Sequence, residues 1–280
     1  MQIYSKRVKR MTDDMDSKAC EIPGTDWHFR VEPSPRWVRV KFGGETIVDS
    51  KRAVLAFEAG RFPVYYFPQE DVRMDLLVAS DNQTVCSHKG TASYWSIKVG
   101  DNISENAAWS YLIPKPVAQD IKGYISFYWS KTDAWFEEET EVFVHARDPY
   151  WRVDAIPSSR HVQALVGGEV VADSHRPVLV FETGLVTRYY LPFEDINQDV
   201  LLPSETETHC PYKGIANYYS VKIGDELFED IIWTYKDPLP AVQEIKGLLC
   251  FYSERIDALY IDGEKWELPE TKSLPYKKIE

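Results

Sequence analysis

The sequence predicts an all-β protein made of two tandem, similar, compact, mainly antiparallel domains with few short helices. Three observations carry that expectation. Segments such as "WVRVKFGGETIVDS" and "ASYWSIKVG" alternate apolar and polar residues at the two-residue period of a strand. Aromatic residues make up 14% of the 280 positions, a surplus that suits strands and lined pockets. The two halves also repeat at one spacing: Glu58/Glu182, Asp71/Asp195, Cys86/Cys210, Trp109/Trp233 and Gly123/Gly247 each stand 124 positions apart. No gap is needed from Pro33/Pro157 to Asp133/Asp257. Two units of this length are a duplicated domain, not a solenoid.

Taken in order, residues 1–32 read as a polar N-terminal arm, with Lys6, Arg7, Lys9 and Arg10 as a solvated basic cluster. The first domain spans 33–137. It opens with a hairpin around Gly43-Gly44, continues through "AVLAFE" and "PVYYF", turns at Pro68 to Asp71, and forms the alternating strand closed by Gly100. "KPVAQDI" is a short helix opened by proline, and "GYISFYW" and "AWFEE" complete roughly seven strands. Residues 138–156 read as a linker, entered through the acidic run Glu137 to Glu139. Its Asp148-Pro149-Tyr150-Trp151 centre is aromatic enough to pack on a domain surface. Residues 157–280 repeat the plan, with "LPAVQEI" as the second short helix and a C-terminal tail.

Bulk composition excludes several functions. A formal charge of −12 argues against a nucleic-acid partner, which calls for a concentrated basic face. No apolar run reaches the ~18 residues of a membrane span, and "MQIYSKRVKRMTDDMDSK" has charges with no hydrophobic segment behind them. Cys20, Cys86, Cys210 and Cys250 include no CxxC pair, so neither a zinc site nor a disulfide framework is expected. A cytoplasmic protein without metal or cofactor follows. Exposed edge strands leave a homodimer open.

"RDPYWRVDAIPSSRHV", "ADSHRPVLVFETG", "RYYLPFEDI", "THCPYKGIANYYSV" and "WTYKDPLPAVQEIKGLLCFY" occur in fixed order. On these motifs the chain resembles the tandem DUF427 proteins, whose domain also carries a nucleotidyltransferase-like label. The resemblance covers nearly everything after the arm. It implies a small β fold related to the β-tent folds and names no reaction. The label finds no support in the residues: there is no Gly-Ser followed by D-x-D, no Walker loop and no G-x-G-x-x-G after a strand. Asp71 with Asp75, and Asp195 with Asp199, read as solvated turn carboxylates.

The candidate chemistry centres on "CPYKG" in the second repeat and "CSHKG" in the first. Lys213 is a proton donor or anion clamp, and Glu182, at the end of the apolar "VLVFE" strand, is a carboxylate whose partial burial tunes it for acid or base work. The competing reading is a salt bridge from Glu182 to Lys213 or Arg160. Both readings expect Glu182 near Lys213. Lys89, Glu58 and His88 are the first repeat's catalytic candidates, His88 bringing an imidazole that titrates near neutrality. Tyr190, Tyr212, Tyr218, Cys210 and Arg160 are expected to bind substrate in the second repeat, and Arg36 and Tyr66 in the first. Alternation should turn one tyrosine inward and one outward in each of Tyr189-Tyr190 and Tyr218-Tyr219. Cys210 is read either as a small buried residue or as a nucleophile activated by Lys213. The function expected is a cofactor-free enzyme acting on a small carbonyl-bearing or aromatic metabolite by isomerisation, cyclisation, elimination or hydrolysis. The alternative is a non-catalytic tandem module that binds a small molecule or a partner.

Overall fold

Residues 29–58 and 60–267 are described by the computed structural model. The first repeat contains β1 (Phe29–Pro33), β2 (Val38–Phe42), β3 (Glu45–Ser50), β4 (Val54–Glu58), β5 (Val64–Pro68), β6 (Leu77–Cys86), β7 (Gly90–Val99), β8 (Asn102–Ser110), β9 (Tyr124–Phe127), β10 (Ala134–Glu137) and β11 (Thr140–Val142). The second contains β12 (Val153–Pro157), β13 (Val162–Val166), β14 (Glu169–Ser174), β15 (Val178–Glu182), β16 (Arg188–Leu191), β17 (Leu201–Cys210), β18 (Gly214–Ile223), β19 (Glu226–Tyr235), β20 (Leu249–Phe251), β21 (Ala258–Ile261) and β22 (Glu264–Lys265). The two halves form separate compact units, divided near Asp148 and Pro149.

Each repeat builds a seven-stranded and a four-stranded antiparallel sheet. Their orders are β1-β4-β5-β9-β8-β7-β6 with β11-β10-β2-β3, then β12-β15-β16-β20-β19-β18-β17 with β14-β13-β21-β22. Eleven strands per repeat replace the seven expected. One cause is β6 and β17, whose polar "SDNQT" and "SETET" carry no apolar alternation yet form exposed ten-residue edge strands. Domain boundaries shift for a similar reason. β1 starts inside the segment assigned to the arm and pairs along all of β4. β11 and β12 fall inside the segment assigned to the linker, because a short edge strand needs only one apolar face. The basic arm cluster, Cys20 and the end of the tail lie outside the described residues.

Both faces of each seven-stranded sheet are covered. In the first repeat Leu55, Phe57, Tyr65 and Phe67 pack with Val38, Val40, Ile47 and Trp135 of the smaller sheet. Their neighbours Val54, Ala56 and Tyr66 pack on the other face with Tyr94, Tyr111, Ala118 and Ile121. Burial on two faces explains why "AVLAFE" and "PVYYF" are continuous apolar runs. It also corrects the inward-outward expectation for the tyrosine pairs. Tyr190 and Tyr218 belong to one core, whereas Tyr189 and Tyr219 pack against the other.

The expected short helices are kinked 3₁₀ segments, Pro116–Ile121 and Pro240–Ile245, each broken by a non-helical residue, Ala118 or Val242. Proline starts each one because its missing N–H costs nothing in the first turn. Ala118 and Ile121, or Val242 and Ile245, are fully buried against the sheet face opposite the smaller sheet. Each buried isoleucine contributes roughly 1.5–3 kcal/mol, enough to pin so short a segment.

Candidate functional site

The β6–β7 and β17–β18 turns hold the lysines. Each turn closes on a glycine with φ of +106° at Gly90 and +102° at Gly214, a conformation that strains any other residue. The lysine backbone is then tied to the proline segment: Lys115 N donates to the Lys89 carbonyl and Leu239 N to the Lys213 carbonyl, both at 3.0 Å. This clamp aims both side chains over the helical-segment face of the large sheet. There Lys89 Nζ donates to Glu58 Oε2 at 2.6 Å, and Lys213 Nζ donates to Glu182 Oε2. The side chains are only 13% and 8% exposed in the first pair and 11% and 8% in the second. The sequence expectation that Glu182 meets Lys213 holds, in its salt-bridge form.

Aromatic residues surround both pairs. In the second repeat Trp233 Nε1 donates to the Tyr190 hydroxyl at 2.9 Å, and Thr208 shares a 2.8 Å hydrogen bond with the Tyr218 hydroxyl. Tyr235 packs in the same core. In the first repeat Trp109 Nε1 donates to Tyr66 at 3.3 Å, and the Lys89 ammonium lies 5.7 Å from the Tyr111 ring centre. Burial pushes the phenols of Tyr190, Tyr235, Tyr66 and Tyr111 upward, so they stay neutral. For Lys213 burial alone pulls downward, but Cys210 and Glu182 outweigh it and the ammonium holds its proton more tightly than usual. Lys89 behaves likewise: burial pulls its pKa down, but the Glu58 carboxylate that accepts its hydrogen bond opposes this and the net direction is upward.

Four features escaped the sequence reading. Trp151 Nε1 donates to Glu182 Oε1 at 3.0 Å, and the Trp151 ring stacks on Tyr212 with centroids 5.8 Å apart. The Tyr of "CPYKG" thus supports the tryptophan that orients the carboxylate. Trp27 stands 124 positions before Trp151, a signal hidden in the supposed arm. In the first repeat Arg61 approaches Glu58 at 3.8 Å, where the second has Leu185. Arg188 stacks over Trp233 at 5.4 Å and grips both oxygens of Glu254 at 2.8 Å, where the first repeat has Val64 and Ser130.

Other expectations are corrected. Arg160 stands before β13 on the smaller sheet, and its guanidinium pairs with Asp262 at 3.0 Å. Arg36 pairs with the buried Glu137 at 2.9 Å, a carboxylate also held by Arg147 and Tyr65. The arginines were expected beside the lysines. They instead stand just before β2 and β13, strands of the sheet that covers the opposite face. His88 is half-buried in its turn, and Cys210 is half-buried beside Lys213. Cys250, fully buried, has its thiol pushed up to about 12 by desolvation. A cavity of about 290 Å³ lies on the Glu254 side, lined also by Ser253, Asp257, Leu259, Lys265 and Trp266, and not on Lys213.

Fold and site together define a tandem all-β protein in which each repeat carries a shielded Glu–Lys pair within a tyrosine and tryptophan cage. The family described as "Domain of unknown function (DUF427)" matches twice, at residues 30–138 and 154–262. The chain belongs to that family, with one domain per repeat. No curated protein matches it. No helix among the described residues is long and apolar enough to cross a membrane.

Proposed function

We propose that the protein is a cofactor-free acid–base enzyme acting on a small carbonyl-bearing metabolite, with Lys213 and Glu182 as the working pair and Lys89 and Glu58 as its counterpart. The observation that carries this reading is the duplication of a shielded Glu–Lys pair at equivalent positions of two aromatic cages. Buried ion pairs add little stability beyond what packed apolar side chains would give, so stability alone is a poor reason to hold two.

The raised Lys213 pKa supports a division of roles. Lys213 retains its proton, which suits an ammonium that hydrogen-bonds a substrate carbonyl oxygen. Glu182 then removes a proton from the adjacent carbon, and the oxygen takes up the developing charge against Lys213. Return of the proton to a different carbon completes an isomerisation. Substrate must enter between the two side chains, so its oxygen replaces Glu182 as the acceptor for the ammonium. Trp151 keeps the carboxylate aimed during that exchange.

A second reading is a binding module that captures an anionic group and performs no chemistry. The tightly held lysine proton favours it, because a permanent cation clamps better than it shuttles. One experiment separates the two. Carbonyl-bearing and aromatic metabolites are incubated with the protein in D₂O and followed by NMR for deuterium incorporation. Exchange that is lost in Glu182→Gln and in Lys213→Met supports the enzyme. Ligand-induced thermal stabilisation that is lost in Lys213→Met, with no exchange for any compound, supports the module and overturns the enzyme.

A further inference from the structure

We propose that His161, Asp173 and His175 form a surface site for one divalent first-row transition ion, a site present only in the second repeat. Strand register brings them together. β13 and β14 pair Val162 with Ser174 and Gln163 with Asp173, so one further step sets His161 opposite His175. Positions 173 and 175 are two apart and share a face of the hairpin. One donor atom from each of the three lies within 4.8 Å of the others. His161 Nε2 is 2.8 Å from Asp173 Oδ1, and the two imidazoles stack with centroids 4.1 Å apart.

The donor set has the chemistry such an ion selects. Two imidazoles and one carboxylate suit zinc and its neighbours, with bonds of about 2.0–2.2 Å and donors ~3.4 Å apart in a tetrahedral shell. Binding requires the His161–Asp173 distance to open slightly, with His161 carrying its proton on Nδ1. His175 is exposed and leaves its stack by side-chain rotation. Asp173 is already held for the task, because Gln163 Nε2 donates to its second oxygen at 2.8 Å. Such outer partners orient a ligating group and raise affinity. Three protein donors leave a position open to water, the arrangement of an exchangeable rather than a sealed structural site.

The first repeat gives an independent comparison. Its equivalents are Trp37, Asp49 and Lys51. Trp37 Nε1 donates to Asp49 Oδ1 at 2.6 Å, and the Lys51 ammonium sits 4.9 Å from the indole centre. The aspartate and its ring donor are kept, but neither an indole nor an ammonium offers a lone pair to a metal. In the second repeat both flanking positions hold imidazole, and the fixed cation is gone.

The test is calorimetric titration of the full-length protein with Zn²⁺, paralleled by Co²⁺ absorption in the visible region, where histidine coordination gives a ligand-field band. One site per chain is expected. His161→Trp/His175→Lys, which installs the first repeat's residues, should abolish both the heat and the band while leaving the circular dichroism unchanged. Gln163→Ala should weaken affinity by about tenfold or more, as loss of an outer-shell partner does. His209→Gln, whose imidazole pairs with Glu207 elsewhere on the surface, should bind like the parent. Equal binding by the double variant, or no band with the parent protein at millimolar Co²⁺, overturns the proposal.

Discussion

At the residue scale, the decisive group is the carboxylate of Glu182, held by the Lys213 ammonium and the Trp151 indole. Lys213→Met leaves that carboxylate shielded and without its cation, a loss of about 3–5 kcal/mol. Urea denaturation measures it directly. Adding Glu182→Gln should return most of the loss, because the uncompensated charge is then gone. A single variant as stable as the parent would mean that the pair is solvated. Trp151→Phe keeps the stacking partner of Tyr212 but removes one donor to a charged acceptor, at a cost of about 1.5–3 kcal/mol. Thiol reactivity gives a separate check. Cys250 is 1% exposed and its pKa is pushed up to about 12, so iodoacetamide at about pH 8 should leave it unmodified in the native protein. Mass spectrometry after proteolysis reads the outcome, and rapid alkylation of Cys250 would contradict its burial.

At the element scale, the lysine turn is set by backbone conformation rather than by side-chain contacts. Gly214 has a φ of +102°, and a Cβ there would meet the Asp237 carbonyl oxygen at 3.4 Å. Gly214→Ala should therefore cost about 1–3 kcal/mol and shift Lys213, its immediate neighbour. Gly224 is the comparison: its φ is +57°, and a Cβ would meet nothing within 4 Å. Alanine there should cost only roughly 1–2 kcal/mol, the penalty of the left-handed region alone. Denaturation midpoints of the two variants test the order, and equal losses would remove the close approach at Asp237 from the account. This scale was partly legible. The Gly43-Gly44 hairpin turn follows from two glycines between alternating strands, and both have positive φ. β6 and β17 were not legible, since an edge strand with few buried side chains carries almost no hydrophobic pattern.

At the scale of the whole molecule, many buried groups have their pKa raised, which fixes the sign of the pH dependence. Lys213 and Lys89 rise from 10.5, Tyr190 and Tyr235 rise from 10.0, and Cys250 rises from 9.0 to about 12. Above about pH 9 the unfolded chain releases these protons while the native state retains them. The native state then binds more protons, so stability falls as pH rises. The contribution is complete below the unfolded values and is lost progressively toward the folded ones. Urea midpoints at about pH 8, 10 and 11 should decline steadily, and a flat profile to pH 11 would contradict the burial of these groups. On the acid side Asp71 and Asp195 are lowered, first by hydrogen bonds from Arg52 and Arg176. Their contribution is present above the usual carboxylate value and disappears as pH falls through the lowered one.

The sequence by itself determined the duplication, the all-β class and the meeting of Glu182 with Lys213. A constant spacing of 124, a two-residue apolar period and a charged residue ending an apolar strand can all be read along the chain without knowing the fold. Tertiary structure alone decided which face each strand turned toward which neighbour. That choice sent Arg36 and Arg160 to carboxylates on the smaller sheet and brought Trp151 from the supposed linker onto Glu182. It also set His161 and His175 side by side across a hairpin. These pairings depend on strand register and on which sheet each strand joins, and in the large sheets, buried on both faces, the apolar runs leave no period that distinguishes one face from the other.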